Sequence, residues 1–261
     1  MKARKTFLIT AASGIGAETA RQLGAQDHRI FLSGLVESDV QVLLTELQKG
    51  GVDAGAVIGD LTQPATALNI VERCIEKFGR IDGLFNVAGI SGRKYGDGPI
   101  HECTEEAWAI TLHTNSTTQY RMCREVVRIM LKQQPDESGQ RGVILNMSSI
   151  LGFDVDQKHF STVAYAASKG AIIAMSRSMA ASYAPDRIRV NVVAPGLVRT
   201  PMSARATKDP EIRDYMRFRQ PLLQDVIPVE DAASTCVFLL TDLSRAITGQ
   251  VVPVDAGWSV A

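Results

Sequence analysis

Tyr165 and Lys169 stand four residues apart in Tyr165-Ala166-Ala167-Ser168-Lys169, early in a stretch with helical spacing. On a helix, side chains at i and i+4 share one face. A phenol, with a pKa of about 10, is drawn towards its ionised form by a fixed ammonium. Such a tyrosine can exchange a proton with an alcohol oxygen near neutral pH. Taken alone, the pair reads more simply as a solvent-facing stripe, because exposed i, i+4 pairs are routine. Two further segments bear on it. Ile144-Leu145-Asn146-Met147-Ser148-Ser149 is an apolar, strand-like run ending in two hydroxyls, which places Ser149 at a sheet edge. Thr10-Ala11-Ala12-Ser13-Gly14-Ile15-Gly16 turns from an apolar run into a helix. Glycines there let backbone approach a ligand, and the free N–H groups of a helix start favour a pyrophosphate. By itself the turn fits packing as well as nucleotide binding. A phosphate turn, a hydroxyl pair and a Tyr–Lys helix converging on one rim are hard to explain by packing.

That convergence needs a particular set of elements. Apolar, β-rich runs at Thr6–Thr10, Arg29–Ser33, Ala54–Ile58, Gly83–Val87, Val143–Met147, Arg189–Ala194 and Val251–Val254 read as strands covered on both faces. Between them Ile15–Ala25, Asp39–Gly50, Ala65–Phe78, Glu105–Lys132, Val163–Ala184 and Glu230–Thr241 have helical spacing. Glu105–Lys132 is expected to be two helices meeting near Thr114–Ser116. The alternation predicts an α/β doubly wound, Rossmann-like fold, with a seven-stranded, mostly parallel sheet and helices on both faces. One domain is expected over 1–261, with a cofactor half to about residue 150 and a catalytic and substrate half from about residue 143. Gln134–Gly142 is polar and turn-rich, a surface loop. Ser203–Leu223 falls beyond the sixth strand, where it is equally a helical flap over a ligand or an ordinary surface excursion.

The bulk properties narrow the function classes. The 261 residues carry 28 Lys and Arg against 28 Asp and Glu, so no basic field favours nucleic acid or an anionic membrane. Cys74, Cys103, Cys123 and Cys236 show no paired spacing and read as incidental reduced thiols, with no metal site expected. The basic start Met1-Lys2-Ala3-Arg4-Lys5 precedes an apolar run too short for a signal or a span, so a cytoplasmic protein is expected. At the tip of the second strand, Leu32-Ser33-Gly34-Leu35 has no acid to hold a ribose. No Lys or Arg lies between Arg29 and Lys49 to neutralise a 2′-phosphate either. NAD or NADP is expected, with a lean to NAD.

In order and spacing, this set resembles the short-chain dehydrogenase/reductase family over essentially the whole chain. The residues that carry the likeness are Gly14-Ile15-Gly16, Asp60-Leu61, Asn86-Val87-Ala88-Gly89, Asn115, Ser148-Ser149, Tyr165-x-x-x-Lys169, Pro195-Gly196 and Ile247-Thr248-Gly249-Gln250. The resemblance implies an oxidoreductase that interconverts secondary alcohols and ketones, similar to 3-oxoacyl thioester reductases and small polyol or hydroxy-acid dehydrogenases. It implies a catalytic set of Asn115, Ser149, Tyr165 and Lys169. Ser149 would bond the substrate oxygen, Tyr165 would pass the proton, Lys169 would hold the nicotinamide ribose, and Asn115 would hold a water. Cofactor contacts would come from Thr10, Ser13, Gly14, Ile15, Gly16, Gly34, Leu35, Asp60, Leu61, Asn86, Ala88, Gly89, Tyr165, Lys169, Pro195, Gly196, Val198 and Thr200. By the same likeness the chain would form a homo-tetramer or homo-dimer through the Asn115 and Tyr165 helices and the C-terminal strand region.

The sequence also departs from the family. Thr10 stands at the first turn glycine, Val87 at the second Asn of N-N-A-G, and Ala256 where a glycine is common. About three extra residues lie within Phe153–Phe160 and are expected to shape the substrate mouth. Arg93, with Lys94, could receive a substrate carboxylate or phosphate, although a solvated basic turn is the simpler reading. The competing function is a catalytically silent dinucleotide-binding sensor of the same fold.

Overall fold

The computed structural model describes residues 4–156 and 158–261. The Met1, Lys2 and Ala3 of the basic start and Gln157 of the extension lie outside them. Seven strands, β1 (Thr6–Ile9), β2 (Arg29–Gly34), β3 (Ala54–Ile58), β4 (Gly83–Asn86), β5 (Gly142–Met147), β6 (Ile188–Pro195) and β7 (Val251–Val254), form one sheet. Their order is β3-β2-β1-β4-β5-β6-β7, and every pairing is parallel. Residues of β1, β4, β5 and β6 are buried throughout, as expected of strands with helices on both faces. Alternate side chains serve opposite layers. Phe7 and Ile9 join the core under α1 (Gly14–Ala25), α2 (Glu37–Lys49) and α9 (Val229–Leu240). Leu8 joins the core under α3 (Thr66–Phe78), α5 (Thr118–Met130) and α6 (Val163–Tyr183).

The strand order reverses between β1 and β4, and ligands in such sheets bind beyond the carboxyl ends at that switch. The segments after β1, β4, β5 and β6 meet there. Glu105–Lys132 is two helices meeting around Thr114–Ser116, as expected. It runs as α4 (Glu105–Leu112), a π-helical turn (His113–Thr117) and α5, with helical dihedrals throughout, so the extra residue of the π turn is absorbed without interrupting the axis. The second helix begins at Glu37 rather than Asp39. Ser203–Leu223 contains α7 (Ala204–Lys208) and α8 (Pro210–Arg219), the latter capped by Asp209, whose carboxylate accepts from Glu211 and Ile212 N–H groups.

Candidate active site

At the α1 turn Ser13 is extended and offers no side-chain cap, and the first turn holds no acid. The N–H groups of that turn therefore face the cleft uncompensated, which fits a bound pyrophosphate. Gly14 has φ +53, and a Cβ on Gly16 would lie 2.8 Å from the Ala11 carbonyl oxygen. Both positions need glycine. Thr10 avoids positive φ among the described residues. Its hydroxyl accepts from Val87 N–H (2.9 Å) and, more loosely, Ala88 N–H (3.4 Å), and the residue is buried. Thr10 is thus a strut under the cleft floor and does not line the cleft. Asn86 is likewise internal, donating to Asn146 Oδ1 at 2.8 Å. Gly34 and Ile58 pair at the ends of β2 and β3, which sets Leu35 and Asp60 along an open rim outside the enclosed cleft. The Asp60 carboxylate accepts from the Thr62 hydroxyl (2.7 Å) and N–H (2.9 Å), which hold it below the usual carboxylate range. Leu61 is buried and Leu35 is 68% exposed.

The chemical end is built where β5 and α6 meet. Tyr165, Ser149 and Lys169 line one cavity of about 310 Å³, together with Ser13, Gly14, Ile15, Ala88, Gly89, Pro195, Gly196, Leu197, Val198 and Thr200. Lys169 is buried, donates to the Met147 carbonyl at 3.1 Å, and lies 5.4 Å from the Tyr165 ring centre. Burial pulls its ammonium down to about 8. Burial also pushes the Tyr165 phenol up, with Ser149 acting in the opposite direction. The expected lowering of the phenol by the lysine is therefore corrected: desolvation of the ring is the larger influence, and Tyr165 rests in its protonated form. Asn115 sits in the π turn with both side-chain groups used. Oδ1 accepts from Ile90 N–H at 2.8 Å, and Nδ2 donates to the Ile90 carbonyl (3.1 Å) and Ser168 Oγ (2.9 Å). Its side chain fixes the loop after β4 to α6 and does not line the cavity. Gly89 is the spacer: a Cβ there would come within 2.9 Å of Asn115 Oδ1 and 3.7 Å of Lys169 Nζ.

Asp97 has no counterpart in the sequence reading. Its buried carboxylate accepts from the N–H groups of Ala164 (3.0 Å) and Tyr165 (2.9 Å), capping α6 from 67 residues away and fixing the helix turn that carries the phenol. Asp97→Ala is expected to strip both N–H groups of their partner and cost about 2 kcal/mol. It should also lower kcat about ten-fold or more, because the phenol loses its position, with little change in KM. Thermal denaturation and steady-state kinetics check both effects.

The mouth joins the extension to the flap. Asp156 accepts from the N–H groups of His159 and Phe160 and from the Tyr215 hydroxyl (2.7 Å) of α8. Gln220, just after α8, accepts from Leu197 N–H and donates to the Leu197 and Asp225 carbonyls, tying the flap to the end of β6. Ile150, Phe160, Leu197, Met216 and Trp258 share one apolar cluster, so flap and extension are packed together over the cleft. Of the extension, Phe160 lines the cavity, whereas Phe153 and Val155 are exposed. Arg93 is not a free basic turn. It lines the cavity and donates to the His159 carbonyl at 2.7 Å.

Of the expected cofactor residues, Ser13, Gly14, Ile15, Ala88, Gly89, Tyr165, Lys169, Pro195, Gly196, Val198 and Thr200 line this cavity, and Gly16 supports it. Arg205, Met202, Leu151 and Trp258 also line it. None of these four carries a local spacing that marks it in sequence.

A family model described as enoyl-(acyl carrier protein) reductase matches residues 10–259. The chain is 32% identical over 256 residues to the 3-oxoacyl-(acyl-carrier-protein) reductase FabG of Thermotoga maritima, covering 97% of each. It is 33% identical over 258 residues to the cis-4-hydroxycyclohexanecarboxylate dehydrogenase of Sinomonas cyclohexanicum, covering 98% of this chain and 97% of that one. Among solved structures, levodione reductase superposes with a TM-score of 0.88 at 26% identity, covering 98% of both chains. A variant of actinorhodin polyketide ketoreductase, solved with NADPH, gives 0.86 at 28% identity and covers 99% of this chain and 98% of that one. The chain belongs to the short-chain dehydrogenase/reductase family. It is an NAD(P)-dependent oxidoreductase that interconverts secondary alcohols and ketones.

Proposed function

We propose that Tyr165 is the group that gives a proton to the ketone oxygen, or takes it from the alcohol. The observation that carries this reading is the shared cavity, in which Tyr165, Ser149 and Lys169 face the same space as the uncapped start of α1. A nicotinamide dinucleotide, when bound, supplies or accepts the hydride. Gly14, Ile15, Gly16 and Ser13 would hold its phosphates, and Pro195, Gly196, Val198 and Thr200 its carboxamide end. On the adenosine side, Gly34, Leu35, Asp60 and Leu61 would form the rim, with Ala88 and Gly89 flanking the groove and Thr10 and Asn86 bracing it from below. Ser149 would steady the substrate oxygen with its hydroxyl. Lys169 would bond the ribose and keep a positive charge beside the phenol. Asn115, whose side-chain groups are taken up by Ile90 and Ser168, would order a water between Lys169 and solvent through its main-chain carbonyl in the π turn. A panel of ketones and alcohols followed by nicotinamide absorbance tests the reading against a silent sensor, which would turn over none of them.

The lean to NAD rests on the rim, where Ser33-Gly34-Leu35 offers no cation. The NADPH in the ketoreductase neighbour is the opposing consideration. Leu35→Arg is expected to raise kcat/KM for NADP(H) about ten-fold by pairing a guanidinium with the 2′-phosphate. Parallel kinetics with both cofactors, on wild type and variant, measure it.

The chain would act as one domain and assemble as a homo-dimer or homo-tetramer through α4, α5 and α6 and the β7 region. Half-exposed Trp108 and Tyr120 on α4 and α5, and the free edge of β7, support that, and light scattering on the eluting species tests it. We place the protein in the cytoplasm, where Cys74 and Cys123 would stay reduced, their buried thiols pushed up to about 12. Cell fractionation checks this.

A further inference from the structure

Arg93 and Arg205 come from segments 112 positions apart, the 3-10 turn after β4 and helix α7, yet both line the catalytic cavity. Neither forms an ion pair among the described residues, although carboxylates surround the mouth. Those carboxylates are engaged elsewhere. Asp97 is taken up by the N–H groups that start α6, and Asp154 and Asp156 lie beside Arg219 at 3.4 and 3.9 Å. Glu211 lies 3.7 Å from Lys158. Two like charges lining one cleft repel each other, and the proximity of Arg205, after burial, disfavours the charged form of Arg93. The Arg93 guanidinium is not loose, since the His159 carbonyl holds Nη2 at 2.7 Å on the extension side of the cleft. A fixed cation and a second cation on the flap, both without acidic partners, form an oxyanion receptor.

We propose that Arg93 and Arg205 bind an oxyanionic group, a carboxylate or a phosphate, at the end of the substrate remote from the reacting carbon. The proposal rests on the oxidoreductase reading above and names its substrate class: an oxo or hydroxy compound with an apolar body and one anionic terminus. Leu151, Phe160, Leu197 and Trp258 line the part of the cavity that would take the body. Binding would close the mouth. The anion joins the turn after β4 to α7 of the flap, and removes the repulsion between the two guanidinium groups.

The test compares a cyclic oxo acid, 4-oxocyclohexane-1-carboxylate, with its methyl ester, in wild type and in Arg93→Gln and Arg205→Gln. Wild type should favour the acid by about ten-fold or more in kcat/KM, and each variant should lose about ten- to a hundred-fold on the acid alone. An oxoalkyl phosphate compared with its free alcohol shows which oxyanion the pair prefers. Equal kcat/KM for acid and ester in wild type overturns the subsite, as does a loss that falls equally on both substrates or on the KM of the dinucleotide. Turnover of the ester without preference leaves the oxidoreductase reading intact and removes only the subsite. A binding readout separates the reverse case. In a Trp108→Phe background, cyclohexanecarboxylate should quench Trp258 emission, and Arg205→Gln should abolish the quench. If that holds while no ketone turns over, the subsite stands and the oxidoreductase reading falls. No quench and no preference ends the proposal.

Discussion

Tyr165→Phe is expected to lower kcat by about 10²- to 10⁴-fold while leaving dinucleotide affinity close to wild type. The substitution removes one oxygen from a ring that is otherwise packed into the cleft wall, so the cavity keeps its shape. What disappears is, among the described residues, the only phenol lining the cavity beside Ser149 and Lys169. Because burial holds the phenol protonated, its direction of action depends on pH. Ketone reduction needs the proton already on the oxygen, so its rate should be flat through neutral pH and fall only as the phenol ionises. Alcohol oxidation needs the phenolate, so its rate should climb from neutral towards alkaline pH. The variant should show neither limb. Steady-state kinetics in both directions, with fluorescence titration of the cofactor, measures this. Near-normal turnover in the variant would mean that another group carries the proton.

Two kinds of information set what could be read from the chain. Strands buried on both faces leave continuous apolar runs, so all seven were legible to within two residues at either end. The Tyr165–Lys169 pair was legible because helical spacing alone fixes a shared face. Asp97 was not, since its partners are amides on a helix 67 residues downstream. Nothing in Gly96-Asp97-Gly98 distinguishes a helix cap from a turn. Arg205, on α7, and Trp258, in the turn after β7, meet the cavity only through contacts between distant segments, which is a tertiary event. Thr10 shows the opposite error. The family position suggested a cofactor contact, whereas the hydroxyl turns inward to hold Val87 and Ala88. The junction of two helices at Thr114–Ser116 was placed correctly, but its π geometry was not legible, because composition does not tell a helix boundary from one added residue. Local spacing thus exposed the residues proposed to do the chemistry. The residues that hold them in place were set by contacts between distant segments.

Lys169→Met is expected to stabilise the protein while lowering kcat by about 10²-fold or more. Lys169 is 3% exposed, and burial pulls its ammonium from 10.5 to about 8. A shift of that size corresponds to up to about 3 kcal/mol of cost for carrying the charge at neutral pH. Methionine fills similar volume without the charge. The Met147 carbonyl that loses the ammonium still accepts from Gln119 Nε2 at 3.1 Å, so no buried acceptor is orphaned. The pH dependence has a definite sign. Below about pH 8 both folded and unfolded chains carry the proton, and the folded protein bears the whole cost. Between about 8 and 10.5 the folded amine has lost its proton while the unfolded one keeps it, so wild-type stability rises with pH. The variant's advantage should therefore be largest near pH 7, several degrees in Tm, and should shrink towards pH 10. Denaturation of both proteins across that window decides it. A wild type more stable than the variant at pH 7 would show that the amine is stabilised in the free protein by something other than the contacts seen here. An advantage that fades as the amine titrates would show that the fold sustains a destabilising charge beside Tyr165, which is the condition under which that charge can act on the phenol when substrate and dinucleotide exclude water.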